Sequence, residues 1–240
     1  MKKYFAHLAV FTIALSSFSA IASAESLTVK NFAQLQWKTG TFWSEGKEHK
    51  GVGTTAMQLE LRNTEGEMMN GEELFVGFCV DPVQPMYKNL AVNVTMTNVD
   101  NVTGGLEAAW LFDSVYNESL SKKKIAGLQY AIWEITSGDS VYDLASTTGH
   151  FYAEIRDEAI RNYANDYLAL VSKEDNISLD SLSASYMISQ SSKYQDLIVR
   201  VPNVPTTAVP DPVPTPEPAS MMLLGMGLLG LFGLRRKQRR

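Results

Sequence analysis

The sequence predicts an α+β fold in which sandwich or barrel-like sheets carry an inserted helical segment. Alternation of apolar and polar residues dominates residues 54–97, as in half-buried strands. After Gly104-Gly105 the apolar period changes to that of helices, and alternation returns from residue 183. Strands first, helices in the middle and strands last indicate an α+β domain. Residues 25–201 are long enough to form it as one domain with a sizeable core.

The first half of this domain is predicted to contain strands. Residues 26–36 mix strand and irregular signals and are interpreted as an opening strand. Residues 45–53 are charged and contain glycine, which favours a loop. Strict alternation then predicts strands over 54–62, 73–80 and 90–97.

The second half is predicted to hold the helices and the closing strands. An apolar stripe indicates a helix from Leu106 to about Asn117. A second helix is predicted over 122–136, with Ser121 as its N-cap, and a third over 151–172. Alternation then indicates closing strands at 183–189 and 194–201.

The N-terminus has the pattern of a secretory signal peptide over residues 1–24. Lys2 and Lys3 precede an apolar run, and Ala22-Ser23-Ala24 is a small-residue cleavage pattern for signal peptidase. We therefore expect cleavage after Ala24 and an exported protein.

The C-terminus reads as a linker followed by a membrane-targeting tail. Residues 202–218 hold seven of the nine prolines, which is typical of an extended linker. Pro216-Glu217-Pro218 precedes an uncharged run, Ala219 to Leu234, and a basic end at residues 235–240. As a helix this run is roughly 24 Å long, against a hydrocarbon core of about 30 Å. It is thus predicted to enter the inner membrane, with the basic end in the cytoplasm.

These three parts, over 216–240, resemble the PEP-CTERM sorting signal of Gram-negative bacteria. The resemblance implies that an exosortase-type transpeptidase cuts near Pro216-Glu217-Pro218, so that the membrane stage is transient. The protein would then reach the cell surface or the extracellular matrix. An ordinary permanent anchor is the alternative.

The charge of the exported part argues against polyanionic partners. Without its predicted signal peptide and basic end, the chain carries about −12. That charge disfavours nucleic acid and anionic lipid surfaces. The cluster of Trp37, Phe42 and Trp43 is better explained by packing than by a ligand platform.

Cys79 is the only cysteine of the chain, so an intrachain disulfide is impossible. It is predicted to lie at a strand end, because Asp81-Pro82 cannot continue the ladder. Gln129, in Gln129-Tyr130-Ala131-Ile132-Trp133-Glu134, falls on the buried face of the second predicted helix. A buried amide without a partner costs about 1–3 kcal/mol, so Gln129 must find partners or react.

The aromatic-Cys-Val-Asp and Gln-x-Ala-Ile-Trp stretches, with Ala108 to Phe112 between them, resemble the thioester domains of bacterial surface proteins. The resemblance implies an internal thioester between Cys79 and Gln129, and capture of a surface or matrix ligand that bears an amine or a hydroxyl. It thus implies an adhesion or biofilm-matrix role without enzymatic turnover or cofactor.

Six further residues are candidate supports for the Cys79–Gln129 pair. The expected dry walls are Phe78, Trp110, Tyr130 and Trp133, and the expected proton carriers are Asp81 and Glu134.

Two alternative functions remain open at this stage. One is a non-covalent structural or carbohydrate-binding matrix protein with an inert cysteine. Another is an extracellular hydrolase that uses Cys79, His150 and an aspartate. A zinc site is disfavoured, because His49 and His150 lack the spacing of clustered ligands.

Overall fold

The domain is mostly sheet, with one nearly closed, barrel-like sheet and a few helices. The computed structural model describes residues 26–36, 39–44, 46–51, 53–69, 73–139 and 141–201. The strands are β1 (Ser26–Gln36), β2 (Gly40–Ser44), β3 (Lys47–Lys50), β4 (Thr54–Arg62), β5 (Phe75–Cys79), β6 (Ala91–Asn93), β7 (Thr95–Asn98), β8 (Phe151–Ile155), β9 (Ser185–Gln190) and β10 (Leu197–Val201). The α-helices are α1 (Gly105–Val115), α2 (Lys122–Thr136) and α3 (Glu158–Val171). The α+β, barrel-like prediction agrees with this architecture in its coarse form.

The larger sheet has seven strands in the order β6-β1-β4-β5-β10-β9-β7. Its edge strands β6 and β7 are adjacent in the sequence and are separated only by Val94. Asn93 pairs with Ser26 of β1, whereas Thr95 pairs with Gln190 of β9. The predicted single strand over 90–97 is instead two short strands, because its two halves pair with different partner strands and the ladder is interrupted at Val94.

The smaller sheet has three strands in the order β3-β2-β8, and it corrects two predictions. The predicted loop at 45–53 contains β3, which pairs with β2 through Phe42 and His49. The predicted helix over 151–172 begins instead with β8, which pairs with the other side of β2. The helix starts only at Glu158, where the Asp157 carboxylate accepts the N–H of Ala159 at 2.9 Å as an N-cap.

Helix α2 packs in the centre of the domain and has the predicted bounds, with Ser121 as its N-cap. Its residues from Ile125 to Ile135 are all buried, so it contacts other elements on every side. Gly127 is the point of closest approach to α3. A Cβ there would lie 2.7 Å from Cβ of Tyr163, which is closer than van der Waals contact allows.

The two ends of the chain fall outside the described residues. This applies to the predicted signal peptide (1–24), the linker (202–218) and the sorting tail (216–240). Within the described ranges, no helix has the length and apolar character needed to cross a membrane.

Candidate functional site

Cys79 is the last residue of β5, next to a loop, as predicted. It pairs with Leu197 of β10, so this end of the strand is held in the middle of the larger sheet. The side chain is buried, with 2% of its surface exposed. The thiol is therefore fixed in the interior while the chain turns away at Asp81-Pro82.

Gln129 lies on α2 and is held against the backbone of Cys79. Its Oε1 accepts the N–H of Cys79 at 3.2 Å, and its Nε2 donates to the carbonyl oxygen of Cys79 at 2.7 Å. The side chain is 1% exposed, as the helical periodicity predicted. Both ends of the carboxamide are thus satisfied, and its carbon is kept beside Cys79.

The thiol is poorly suited to ionise before it reacts. Burial strongly raises the pKa of Cys79, the nearby indole of Trp133 partly lowers it, and the charges of Asp81 and Asp196 raise it further. Its Sγ donates to the carbonyl oxygen of Asp81 at 2.9 Å. Proton removal must therefore accompany any attack by sulfur, because a free thiolate is disfavoured here.

Three of the four predicted walls are buried. Phe78 makes an edge contact with Phe112 of α1 at 4.9 Å between ring centroids, and Tyr130 makes one with Trp133 at 5.4 Å. Trp110 is only half-buried, so it contributes less to a dry interior.

The two predicted proton carriers occupy different surroundings. The backbone carbonyl of Asp81 lies beside the thiol, whereas its carboxylate accepts the N–H of Val83 at 2.9 Å. Glu134 follows Gln129 by five residues, about 140° around the helix. Its Oε1 accepts the N–H of Asp143 at 2.8 Å, so the carboxylate faces the loop at 137–150. The structure brings Asp81 to Cys79 and directs Glu134 elsewhere.

Sequence reasoning missed Asp196. It lies opposite Val80, whose N–H donates to its carbonyl oxygen at 2.9 Å, just before β10. Burial raises the pKa of Asp196, and the charge of Asp81 adds to this increase. The alternation in 194–201 predicted the strand, but only the pairing of β5 with β10 places Asp196 opposite Val80, the residue that follows Cys79.

The structure does not support the alternative of a cysteine hydrolase. Nδ1 of His150 lies 2.8 Å from Oδ1 of Asp139, and the His150 side chain is 78% exposed. That pair sits at the surface, whereas Cys79 is buried. Among the described residues, no group of three or more His, Cys, Asp or Glu side chains is arranged to hold a metal ion.

A comparison with protein families matches residues 214–237, about a tenth of the chain, to the PEP-CTERM protein-sorting motif. The chain carries this sorting motif. The PEP-CTERM tail implies export and processing by an exosortase, as the sequence predicted. A comparison with curated proteins finds no match.

Solved structures of low sequence identity resemble the chain. The N-terminal domain of the Streptococcus pyogenes pilus tip adhesin Cpa has a TM-score of 0.42 and 13% identity, over 73% of this chain and 99% of that one. The N-terminal thioester domain of fibronectin-binding protein SfbI from the same organism gives 0.41 and 11%, over 70% and 95%. The Bacillus anthracis TIE protein gives 0.38 and 10%, over 75% and 39%.

Proposed function

We propose that Cys79 and Gln129 form an internal thioester through which this exported surface protein captures a partner covalently. The observation that carries the proposal is the two-way pair of hydrogen bonds that holds the Gln129 carboxamide on the backbone of Cys79. The reaction needs a thiol and an acyl carbon in close approach and away from water. The burial of both side chains supplies the second condition.

Formation of the bond requires the thiol to turn from Asp81 to Gln129 and requires the loss of ammonia. Sulfur leaves the carbonyl oxygen of Asp81 and attacks the carboxamide carbon of Gln129, which gives a tetrahedral intermediate. The N–H of Cys79, already bound to Oε1, stabilises the negative oxygen of that intermediate. The carbon–nitrogen bond then breaks, and the thiol proton leaves with nitrogen as ammonia.

In the capture of a partner, the Cys79 sulfur is the leaving group, whereas it is the nucleophile when the thioester forms. An amine or hydroxyl of the partner attacks the thioester carbon, the carbon–sulfur bond breaks, and the proton of the nucleophile ends on Cys79. The acyl group stays on Gln129 as an amide or ester. The thioester is consumed in this step, so the protein acts once, without enzymatic turnover or a cofactor.

In our proposal this chemistry takes place outside the cell, which the PEP-CTERM tail supports. Signal peptidase cuts after Ala24, residues 219–234 hold the chain transiently in the inner membrane of a Gram-negative bacterium, and an exosortase cuts near Pro216-Glu217-Pro218. The domain then presents its thioester to an amine-bearing or hydroxyl-bearing ligand of the surface or biofilm matrix.

A non-covalent matrix protein with an inert cysteine is the second candidate. One observation favours it: the Gln129 amide is hydrogen-bonded at both its oxygen and its nitrogen and the pKa of the Cys79 thiol is raised, so the unreacted pair is stable as it stands. Structural or carbohydrate binding would then use other surfaces of the same domain.

The intact mass of the exported domain separates the two candidates. With a thioester, fresh protein should weigh one ammonia less than its sequence mass and show no thiol to an alkylating reagent. Methylamine should then release the thiol and add its own mass at Gln129. The Cys79→Ala variant is the control and should keep its full mass. Full mass and a freely alkylated Cys79 in the fresh wild-type protein would leave only the inert-cysteine candidate.

A further inference from the structure

Helix α2 contacts the end of β5 through one stripe of side chains. Gln129 binds the backbone of Cys79, and seven residues later the hydroxyl of Thr136 lies 3.0 Å from the carbonyl oxygen of Val80. Positions i, i+4 and i+7 share one face of a helix. Trp133 therefore lies on the same face, between the two points at which α2 is bound to Cys79 and Val80.

The indole N–H of Trp133 is an unused donor on this face. The side chain is 2% exposed, and its Nε1 has no hydrogen-bond partner. The ring is held by Tyr130, Phe42 and Phe151 at centroid distances of 5.4, 5.5 and 6.3 Å. A buried donor without a partner costs about 1–3 kcal/mol, so its retention in a tightly packed ring cluster requires an explanation.

The Cys79 sulfur is the group that can use this donor. The Trp133 indole lies close enough to lower the pKa of the thiol, although Nε1 makes no hydrogen bond of ordinary length. In the unreacted pair, sulfur is turned to the carbonyl oxygen of Asp81. A neutral thiol is a weak acceptor, whereas a sulfur with negative charge is a strong one.

We propose that the indole N–H of Trp133 donates to the Cys79 sulfur whenever that sulfur carries negative charge, and so controls how fast the thioester forms and opens. This inference rests on the proposed function. When an amine attacks, its nitrogen bonds to the acyl carbon, and the electron pair of the carbon–sulfur bond moves to sulfur. The sulfur is anionic until it receives the proton of the amine. A donor already in place lowers the barrier to that departure.

The Trp133→Phe variant removes the N–H and keeps an aromatic ring. Methylamine should open its thioester about tenfold more slowly than in the wild type, because one hydrogen bond to a charged sulfur is lost. Trp43→Phe is the matched control, since Trp43 stacks on Tyr152 in the smaller sheet, and its rate should stay at the wild-type value. An unchanged or faster rate in Trp133→Phe would overturn the inference.

A second series separates this inference from the proposed function. Gln129→Met has no acyl carbon, so its Cys79 stays a thiol whether or not the wild type forms a thioester. Adding Trp133→Phe to it should slow alkylation of Cys79 by iodoacetamide about tenfold at a fixed alkaline pH. If Trp133→Phe merely loosened the core, Cys79 would be alkylated faster. Faster alkylation would therefore count against the inference. Full sequence mass in the wild type would remove the thioester, while this series would still decide the role of Trp133.

Nuclear magnetic resonance gives an answer even if Trp133→Phe does not fold. The four indole N–H signals can be assigned from Phe variants of the other tryptophans, Trp37, Trp43 and Trp110. In the Gln129→Met background, the Trp133 signal should move upfield when Cys79→Ala removes the sulfur that accepts its N–H, while the Trp43 signal stays in place. A Trp133 signal that does not respond to the state of Cys79 would overturn the inference.

Discussion

Gln129 binds the backbone of Cys79, whereas the Cys79 thiol donates to the carbonyl oxygen of Asp81. The two groups that would form the crosslink are therefore neighbours that are positioned independently of one another. Because the hydrogen bonds of Gln129 use only backbone atoms of residue 79, they survive replacement of the cysteine side chain. Mutational energetics can thus distinguish a covalent bond from simple proximity.

The first prediction concerns stability. A crosslink over about fifty residues should stabilise the domain by about 4 kcal/mol, by analogy with disulfides. Cys79→Ala and Gln129→Ala should each lose at least this amount, and the double variant should lose little more than Gln129→Ala alone, since either change removes the same bond. Urea unfolding of the wild type, the two single variants and the double variant measures these losses as a double-mutant cycle. If the bond is absent, Cys79→Ala should cost much less than Gln129→Ala, and the two losses should add.

The second prediction concerns pH. Burial raises the pKa of Glu134 from 4.5 to about 7, and the charges of Asp139 and Asp143 add to the effect, while the N–H of Asp143 opposes it. A carboxyl whose pKa is raised on folding stabilises the protein fully below its unfolded pKa. That stability is lost as pH rises through the folded value. The free energy of unfolding should therefore fall between about pH 4.5 and about pH 7, by at most about 3 kcal/mol.

Glu134→Gln tests this assignment, because glutamine resembles the protonated carboxyl. The variant should show a much flatter dependence of unfolding free energy on pH over the same interval. Glu154→Gln, at an exposed position of β8, should keep the wild-type slope. An equal slope in wild type and Glu134→Gln would mean that another group titrates.

The third prediction concerns the nucleophile. The charges of Asp81 and Asp196 act on the Cys79 thiol, and these carboxylates should attract an ammonium and accept its proton during attack. Asp196→Asn should slow thiol release by methylamine several-fold, and added salt should reduce the difference. Asp180→Asn, at an exposed site on a short 3-10 turn, is the control. Identical rates for wild type and Asp196→Asn would exclude Asp196 from the reaction.

The fourth prediction concerns processing. Protein recovered from the cell surface should lack residues 1–24 and most residues after Pro218, as judged by intact mass. Replacement of Glu217 within the sorting motif should retain the chain in the membrane fraction with residues 235–240 attached. Recovery of wild-type surface protein that still carries Arg235–Arg240 would indicate a permanent anchor instead.

Local sequence patterns correctly predicted the elements whose secondary structure depends least on pairing with distant segments. Helix α2 was predicted with its bounds because its apolar period and the Ser121 cap are encoded within fifteen residues. β8 was missed because its strand form depends on pairing with β2, which lies far earlier in the chain. The apolar residues of 151–155 join smoothly to the helical period of α3, and only the Asp157 cap marks the boundary.

The same distinction applies to the candidate site. Helical periodicity predicted the burial of Gln129, and Pro82 predicted that Cys79 ends its strand. Asp196 could not be found, because its position depends on the register between β5 and β10. The direction of the buried Glu134 towards the 137–150 loop was also missed, although its offset from Gln129 along the helix contained that information.

The single residue between β6 and β7 has a consequence for the order of folding. β6 pairs with a strand roughly 65 residues before it, and β7 pairs with one roughly 95 residues after it. Contacts this distant in sequence form slowly, because closing the long intervening chain costs entropy before the contacts contribute any favourable energy. Val94 can therefore be fixed only after both ends of the domain are present. A chain that grows from its N-terminus should stay open until β9 and β10 have emerged, and closure of the sheet should then be a late, cooperative step.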